Sequence, residues 1–246
     1  ELFSEENVVS ARIIFMGTSY FADEILRSLL KEGYNIISVW TKSDKKSGRD
    51  HEIKETEIKN TAEQFKISVF QPEKLDENAV REIKKQKPDL IIVAAYGKII
   101  PESILKIPGF GAINVHPSLL PKFRGPSPIQ NALLQGEIET GTTIMLMDAG
   151  MDTGDILKQI KIEISLEETK KDLTEKLAKL SASLLLETIP LWVKRKIHQQ
   201  KQDNSLATLC QLIEKNDGRI IWTEDAGAIY NRYRALTPWP GIFAFW

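Results

Sequence analysis

A chain of 246 residues, 42% of them hydrophobic, can build one large domain, or one domain and part of another, around a real apolar core. Its 33 basic and 34 acidic residues nearly cancel, so bulk charge does not mark a nucleic-acid binder and any RNA contact must come from local patches. The single cysteine, Cys210, excludes an intrachain disulfide and a cysteine-cluster metal site, and His51, His116 and His198 lack metal-ligand spacing.

No apolar run approaches the ~20 residues that cross a bilayer, and there is no signal-peptide pattern. A cytoplasmic protein with no membrane partner is the simplest expectation. Glu1 to Ser10 is polar and reads as an extension ahead of the first strand.

The apolar run Arg12 to Met16 ends at Gly17, and Phe21 to Leu30 carries apolar residues at helical spacing, which predicts a strand, a tight turn and a helix. With Gly17 alone, the turn lacks the Gly-X-Gly-X-X-Gly pattern through which a backbone approaches a pyrophosphate, which counts against a nicotinamide dehydrogenase. Strands are expected at Tyr34 to Thr41, Ile67 to Phe70 and Asp89 to Ala94, with helices at about Glu57 to Phe65 and Asp76 to Lys85 between them. Such alternation implies a mostly parallel sheet flanked by helices, an α/β fold. Lys42 to Arg49 carries four basic residues against one acidic and reads as a solvated surface loop.

Asn114 and His116 stand two apart at the end of the apolar run Gly111-Ala112-Ile113, so in an extended strand their side chains point the same way. One amide and one imidazole then converge on one spot. Ligands of open parallel sheets bind beyond the carboxyl ends of the strands, which places Ala94 to Pro101, Asn114 to Pro121 and the turn around Asp152 on one rim. A helix is expected over Ser127 to Gln135, capped by Ser127, then paired strands at Thr140 to Met147 and Ile156 to Ile164. A long helix over Glu167 to Trp192 repeats leucines at helical spacing. Residues 193–208 are polar and basic, the composition of a linker. Beyond them lie a short strand candidate, Arg219 to Trp222, and a helix candidate, Ala226 to Tyr233.

Several stretches together carry a resemblance: Arg12 to Thr18, Ala95-Tyr96-Gly97, Ile113 to Gly125 with Asn114-Val115-His116-Pro117-Ser118-Leu119-Leu120-Pro121 at its heart, Pro128-Ile129-Gln130, Thr140 to Asp155, and Pro238-Trp239-Pro240-Gly241. This pattern resembles the formyltransferase family that uses 10-formyltetrahydrofolate, and it covers nearly the whole chain. The resemblance implies a Rossmann-like catalytic domain at 11–192, a linker at 193–208, and at 209–246 the beginning of a C-terminal tRNA-binding open β-barrel whose remainder is expected to be missing. It implies 10-formyltetrahydrofolate as formyl donor, no metal, and the amino group of initiator methionyl-tRNA as acceptor, with a monomer as the expected state. An amino-sugar nucleotide or other small amine is the alternative acceptor. Release of formate from the same folate is an alternative reaction, and RNA binding without catalysis a rival of another class.

Formyl transfer from a folate nitrogen to an amine passes through a tetrahedral intermediate with a developing oxyanion, which needs aimed donors and a route for one proton. Asn114 can donate from its amide, and His116 can donate and shuttle. A carboxylate beside His116 would stabilise its cationic form and hold its ring. Asp148, Asp152 and Asp155 all compete for that role on sequence alone; the family places its acid 38 residues after the asparagine, which selects Asp152. The resemblance further assigns Tyr96, Lys98, Ile100, Ser118, Leu119, Leu120, Pro121 and Asp148 to the folate site. It assigns Lys45, Lys46, Arg49, Arg124, Lys194 and Arg195 to tRNA. The segment Asp50 to Lys59 departs from the family pattern, with no proline and four acidic residues.

Overall fold

The structure is a computed structural model, and it describes residues 8–47 and 52–245. Strand β1 (Ile13–Gly17) is buried throughout. Ile13 and Phe15 join the apolar cluster on one face of the sheet, and Ile14 and Met16 join the cluster on the other. Strand β6 (Leu90–Ala94) repeats this, with Leu90, Ile92 and Ala94 on one side and Ile91 and Val93 on the other. Successive side chains of a strand point to opposite faces, so a continuous apolar run is what a strand covered on both faces requires.

The other strands of this sheet are β2 (Ile36–Trp40), β5 (Ser68–Phe70), β7 (Ala112–His116), β8 (Glu139–Leu146) and β9 (Ile156–Glu163). The order across the seven-stranded sheet is β5-β2-β1-β6-β7-β8-β9. The first five run parallel, while β8 is antiparallel to β7 and β9 antiparallel to β8. Helices α1 (Tyr20–Lys31) and α2 (Glu57–Gln64) pack into the first cluster, and α3 (Glu77–Gln86) and α4 (Glu102–Leu105) into the second. After β7 come α5 (Pro128–Leu134), α6 (Lys170–Val193) and α7 (Ala226–Leu236), all packed on the first face. The α/β architecture with a mostly parallel sheet is the one expected from the alternating pattern.

The chain winds outward from β1 to β2 and β5, then returns to β6 on the opposite side of β1. At such a reversal the flanking loops leave in opposite directions and open a crevice beyond the carboxyl ends of the strands. The end of β7 lies one strand away from it.

Three local expectations change. The basic stretch expected as a loop contributes β3 (Lys45–Ser47), which pairs antiparallel with β4 (Glu52–Lys54), so cross-strand bonds satisfy backbone groups that a loop would leave to water. Ser127 does not cap α5 with its side chain; its backbone is left-handed, at φ 60°, and the helix begins on Pro128, whose missing N–H costs nothing at that position. Arg219 to Trp222 is not a strand. Among the described residues only Arg219 bridges to Phe243, with Ile221 and Trp222 exposed, because no continuous partner strand lies alongside.

Candidate active site

Ile113 and Val115 of β7 point into the large apolar cluster, so Asn114 and His116 leave the strand on its other side. Asn114 is half-buried and His116 is buried. The turn between β8 and β9 brings Asp152 to them. That turn is closed by Leu146 N–H donating to Asp155 O at 2.9 Å, and by Asp148 Oδ1 accepting from Gly150 N at 3.0 Å and Thr153 Oγ1 at 2.7 Å. Gly154 is obligatory there: a Cβ at this position would stand 1.7 Å from Leu146 O. Asp152 itself holds a left-handed backbone, φ 53°.

The Asp152 carboxylate is where the site converges. Its Oδ1 accepts from Asn114 Nδ2 at 3.3 Å, its Oδ2 accepts from Gly125 N–H at 2.8 Å, and Oδ2 lies 3.7 Å from His116 Nδ1. The other ring nitrogen, Nε2, lies 2.9 Å from Phe123 O. A carbonyl can only accept, so this contact assigns the hydrogen to Nε2 and leaves Nδ1 facing Asp152. Of the three candidate acids, Asp152 meets Asn114 and His116, and Asp148 is engaged within its own turn.

The Ser118 to Pro121 stretch is pinned from beneath. Thr143 Oγ1 donates to Ser118 O at 2.7 Å, Gln159 Nε2 donates to Leu120 O at 3.0 Å, and Ser118 Oγ donates to Lys122 O at 2.7 Å. Leu120 packs with Met145 and Ile156, and Leu119, Leu120 and Pro121 line a cavity of about 280 Å³ together with Phe123 and Gln159. Tyr96 and Ile100, expected at the folate wall, are taken up by the core cluster of Ile14, Met16 and Trp40. Burial pushes the Tyr96 phenol up to about 12. Lys98 donates to Pro72 O and, at 3.0 Å, to Glu73 O, so it ties down the segment ahead of α3.

Of the residues expected to meet RNA, Lys45 and Lys46 lie in β3, and Arg49 falls outside the described residues. Lys194 caps the end of α6 and Arg195 is exposed beside it. Arg124 is not at an exposed surface. It is 6% exposed, and its guanidinium donates to Gln202 Oε1 at 3.0 and 2.8 Å and to Asn204 Oδ1 at 2.9 Å. The side-chain oxygens of 202 and 204 hold it inside the protein. Two partners of the site escaped sequence reasoning. The Gly125 N–H carries no side-chain signal, and Gln202 sits in a polar run whose composition reads only as linker.

Cys210 is buried against the same loop, its thiol 3.4 Å from Phe123 O and 3.2 Å from Arg124 O. Burial, and then the negative charge of Asp152, push this thiol up to about 12. Since the thiolate is the nucleophile, iodoacetamide at pH 8 is expected to modify folded Cys210 roughly 10³-fold more slowly than the urea-unfolded chain. Equal rates in the two states would mean that residues 208–210 do not stay docked. Among the described residues no group of three or more His, Cys, Asp and Glu is placed to hold a metal ion, and no helix is long and apolar enough to cross a membrane.

The chain has counterparts among known proteins in both sequence and fold. Residues 11–189 match the family model described as formyl transferase, and residues 212–246 match the model described as formyl transferase, C-terminal domain. The chain belongs to the formyltransferase family. A methionyl-tRNA formyltransferase of Caldanaerobacter subterraneus subsp. tengcongensis is 44% identical over 96% of this chain and 77% of its own length. Another, from Caldicellulosiruptor saccharolyticus, is 46% identical over 95% of this chain and 76% of its own length. Among solved structures, an N-formyltransferase of Helicobacter canadensis in complex with folinic acid and dTDP-3-aminofucose superposes with a TM-score of 0.71 at 22% identity, covering 92% of this chain and 80% of that one. A 4-N formyltransferase from Francisella tularensis gives 0.74 at 18% identity, covering 95% and 92%. At those identities the two structures speak for the fold.

Proposed function

We propose that this chain transfers the formyl group of 10-formyltetrahydrofolate to the amino group of methionyl-initiator-tRNA, with Asn114, His116 and Asp152 as its catalytic group. The observation that carries the reading is the convergence of Asn114 Nδ2, His116 Nδ1 and Gly125 N–H on one carboxylate, in a chain that shares 44% identity with a methionyl-tRNA formyltransferase over nearly its whole length.

The chemistry follows from the free valences. Asn114 gives one amide hydrogen to Asp152, which leaves its second for an oxyanion forming on the formyl carbon. With Nε2–H donated to Phe123 O, the Nδ1 lone pair is the position that takes the proton from the attacking amine. The imidazolium so formed lies 3.7 Å from Asp152 Oδ2, whose negative charge stabilises it until the proton passes to the departing folate nitrogen. Asp152 is itself held by Gly125 N–H, so it keeps its orientation while the charge on the ring changes. Leu119 and Pro121 serve as the apolar wall toward the folate, with Ser118 and Leu120 shaping the loop beneath them.

Supplying 10-formyltetrahydrofolate together with methionyl-tRNA, with an amino-sugar nucleotide, or with no amine separates the alternatives. Formylated methionyl-tRNA supports the reading. A formylated sugar would move the acceptor, and formate release without amine would make the chain a hydrolase.

Lys45, Lys46, Arg49, Lys194 and Arg195 remain the positions assigned to RNA phosphate, with Arg124 engaged inside the protein. Each phosphate neutralised contributes about 0.7 to 0.9 to the slope of log K against log salt. Replacing Lys194 and Arg195 together by alanine is therefore expected to make the slope for tRNA binding shallower by about 1.4 to 1.8, in titrations at several salt concentrations. An unchanged slope removes both residues from the interface.

A further inference from the structure

Residues 193–208 have the composition of a linker, and the mechanism above assigns catalysis to none of them. In the structure this stretch is strapped across the site. Gln200 and Ile156 exchange backbone hydrogen bonds of 2.8 and 2.9 Å, Thr208 O accepts from Arg124 N at 2.9 Å, and Cys210 N donates to Arg124 O at 2.8 Å. Gln202 lies between these anchors.

Its side chain uses both ends. Nε2 donates to Asp152 O at 2.9 Å and to Gly154 O at 2.7 Å, and Oε1 accepts from Arg124 Nε at 3.0 Å and Nη2 at 2.8 Å. An amide has two donor hydrogens and one acceptor oxygen, and here all are engaged. One side chain thus joins the turn that carries Asp152 to the loop that carries Phe123 and Gly125. Phe123 O takes the His116 Nε2 hydrogen, and Gly125 N–H holds the Asp152 carboxylate, so both catalytic side chains depend on the spacing of these two segments. The left-handed backbone at Asp152 is one that most L-residues avoid and aspartate tolerates as a single residue. The pair of bonds from Gln202 fixes this turn at the carbonyls of Asp152 and Gly154.

We propose that Gln202 is a positioning residue for formyl transfer, holding the Asp152 turn in register with the loop that orients His116. It touches no reacting atom and acts through Asp152. The proposal rests on the functional reading above, and its test is built so that the two can fail separately.

Gln202→Met keeps the length of the side chain and removes every hydrogen bond, while Gln202→Glu keeps an acceptor for Arg124 and loses the donors to Asp152 and Gly154. Small misplacements of catalytic groups cost up to about 10²-fold in rate. Both variants are therefore expected to lose about 10- to 100-fold in kcat, with KM for the folate within about twofold; Tm should stay near that of the unmodified chain in Gln202→Glu, which keeps Arg124 paired, and fall in Gln202→Met, which leaves the buried guanidinium with Asn204 alone. Cys210 should stay protected from iodoacetamide, which shows the strap still docked. In chains labelled at histidine nitrogen, the His116 ring signals should move in both variants. Unchanged kcat with unmoved His116 signals overturns the proposal. So does a kcat loss accompanied by exposed Cys210 and a lowered Tm in Gln202→Glu, since that is general loosening. If the unmodified chain formylates nothing, the functional reading has failed, and the His116 signals alone then decide whether Gln202 sets the geometry.

Discussion

His116→Ala is expected to lower single-turnover formyl transfer by at least about 10³-fold. Removing one oxyanion donor typically costs about 10²- to 10³-fold, and a positioned general base contributes about 10²- to 10⁴-fold, so the loss of a proton acceptor beside a carboxylate belongs at the upper end. In barrier terms 10³-fold is about 4 kcal/mol. The fold should survive, because His116 is the last residue of β7, its backbone bonds to β8 and Ser118 do not depend on the ring, and among the described residues the ring's one hydrogen bond runs to the Phe123 carbonyl. Rapid-quench transfer measured beside thermal unfolding checks both halves. Transfer within tenfold of the unmodified chain would remove His116 from the reaction.

The second large effect is expected at Asp152. Asp152→Asn preserves size, yet an amide has one acceptor oxygen where the carboxylate has two, and its NH₂ must now face either Gly125 N–H or Asn114 Nδ2, both of which donate. The charge that supports an imidazolium at 3.7 Å is lost as well. A fall in kcat of about 10²-fold or more follows, whereas Asp148→Asn should change it by less than about tenfold, because among the described residues Asp148 bonds within its turn, to Gly150 and Thr153. The reverse ranking of the two variants would transfer the carboxylate's role to Asp148.

Asn114 and His116 were legible in the sequence because a strand's period of two is strict and the apolar run ends where they begin. Asp152 was legible only through resemblance to a family, since three aspartates crowd the same turn and spacing cannot say which one faces inward. The decision lies in the turn itself, where Asp148 is consumed by Gly150 and Thr153 and a left-handed backbone swings Asp152 toward Asn114. Arg124 was assigned to tRNA through resemblance, and its buried partners were not legible, because Gln202 and Asn204 stand 78 and 80 residues away in sequence. The same distance hid the strap. Composition records that 193–208 is polar, but polar side chains saturate buried carbonyls as readily as they face water. The β3–β4 pair escaped for another reason: three-residue strands are too short for alternation to stand out from a loop.

The most direct test of the account is transfer of isotope-labelled formyl from 10-formyltetrahydrofolate to methionyl-tRNA, scored as N-formylmethionine released on hydrolysis of the tRNA, for the unmodified chain and for Asn114→Ala. The account predicts labelled N-formylmethionine with the unmodified chain and a rate lower by about 10²- to 10³-fold with the variant, at unchanged Tm. Absence of label on methionine with the unmodified chain, or an equal rate with Asn114→Ala, would contradict it.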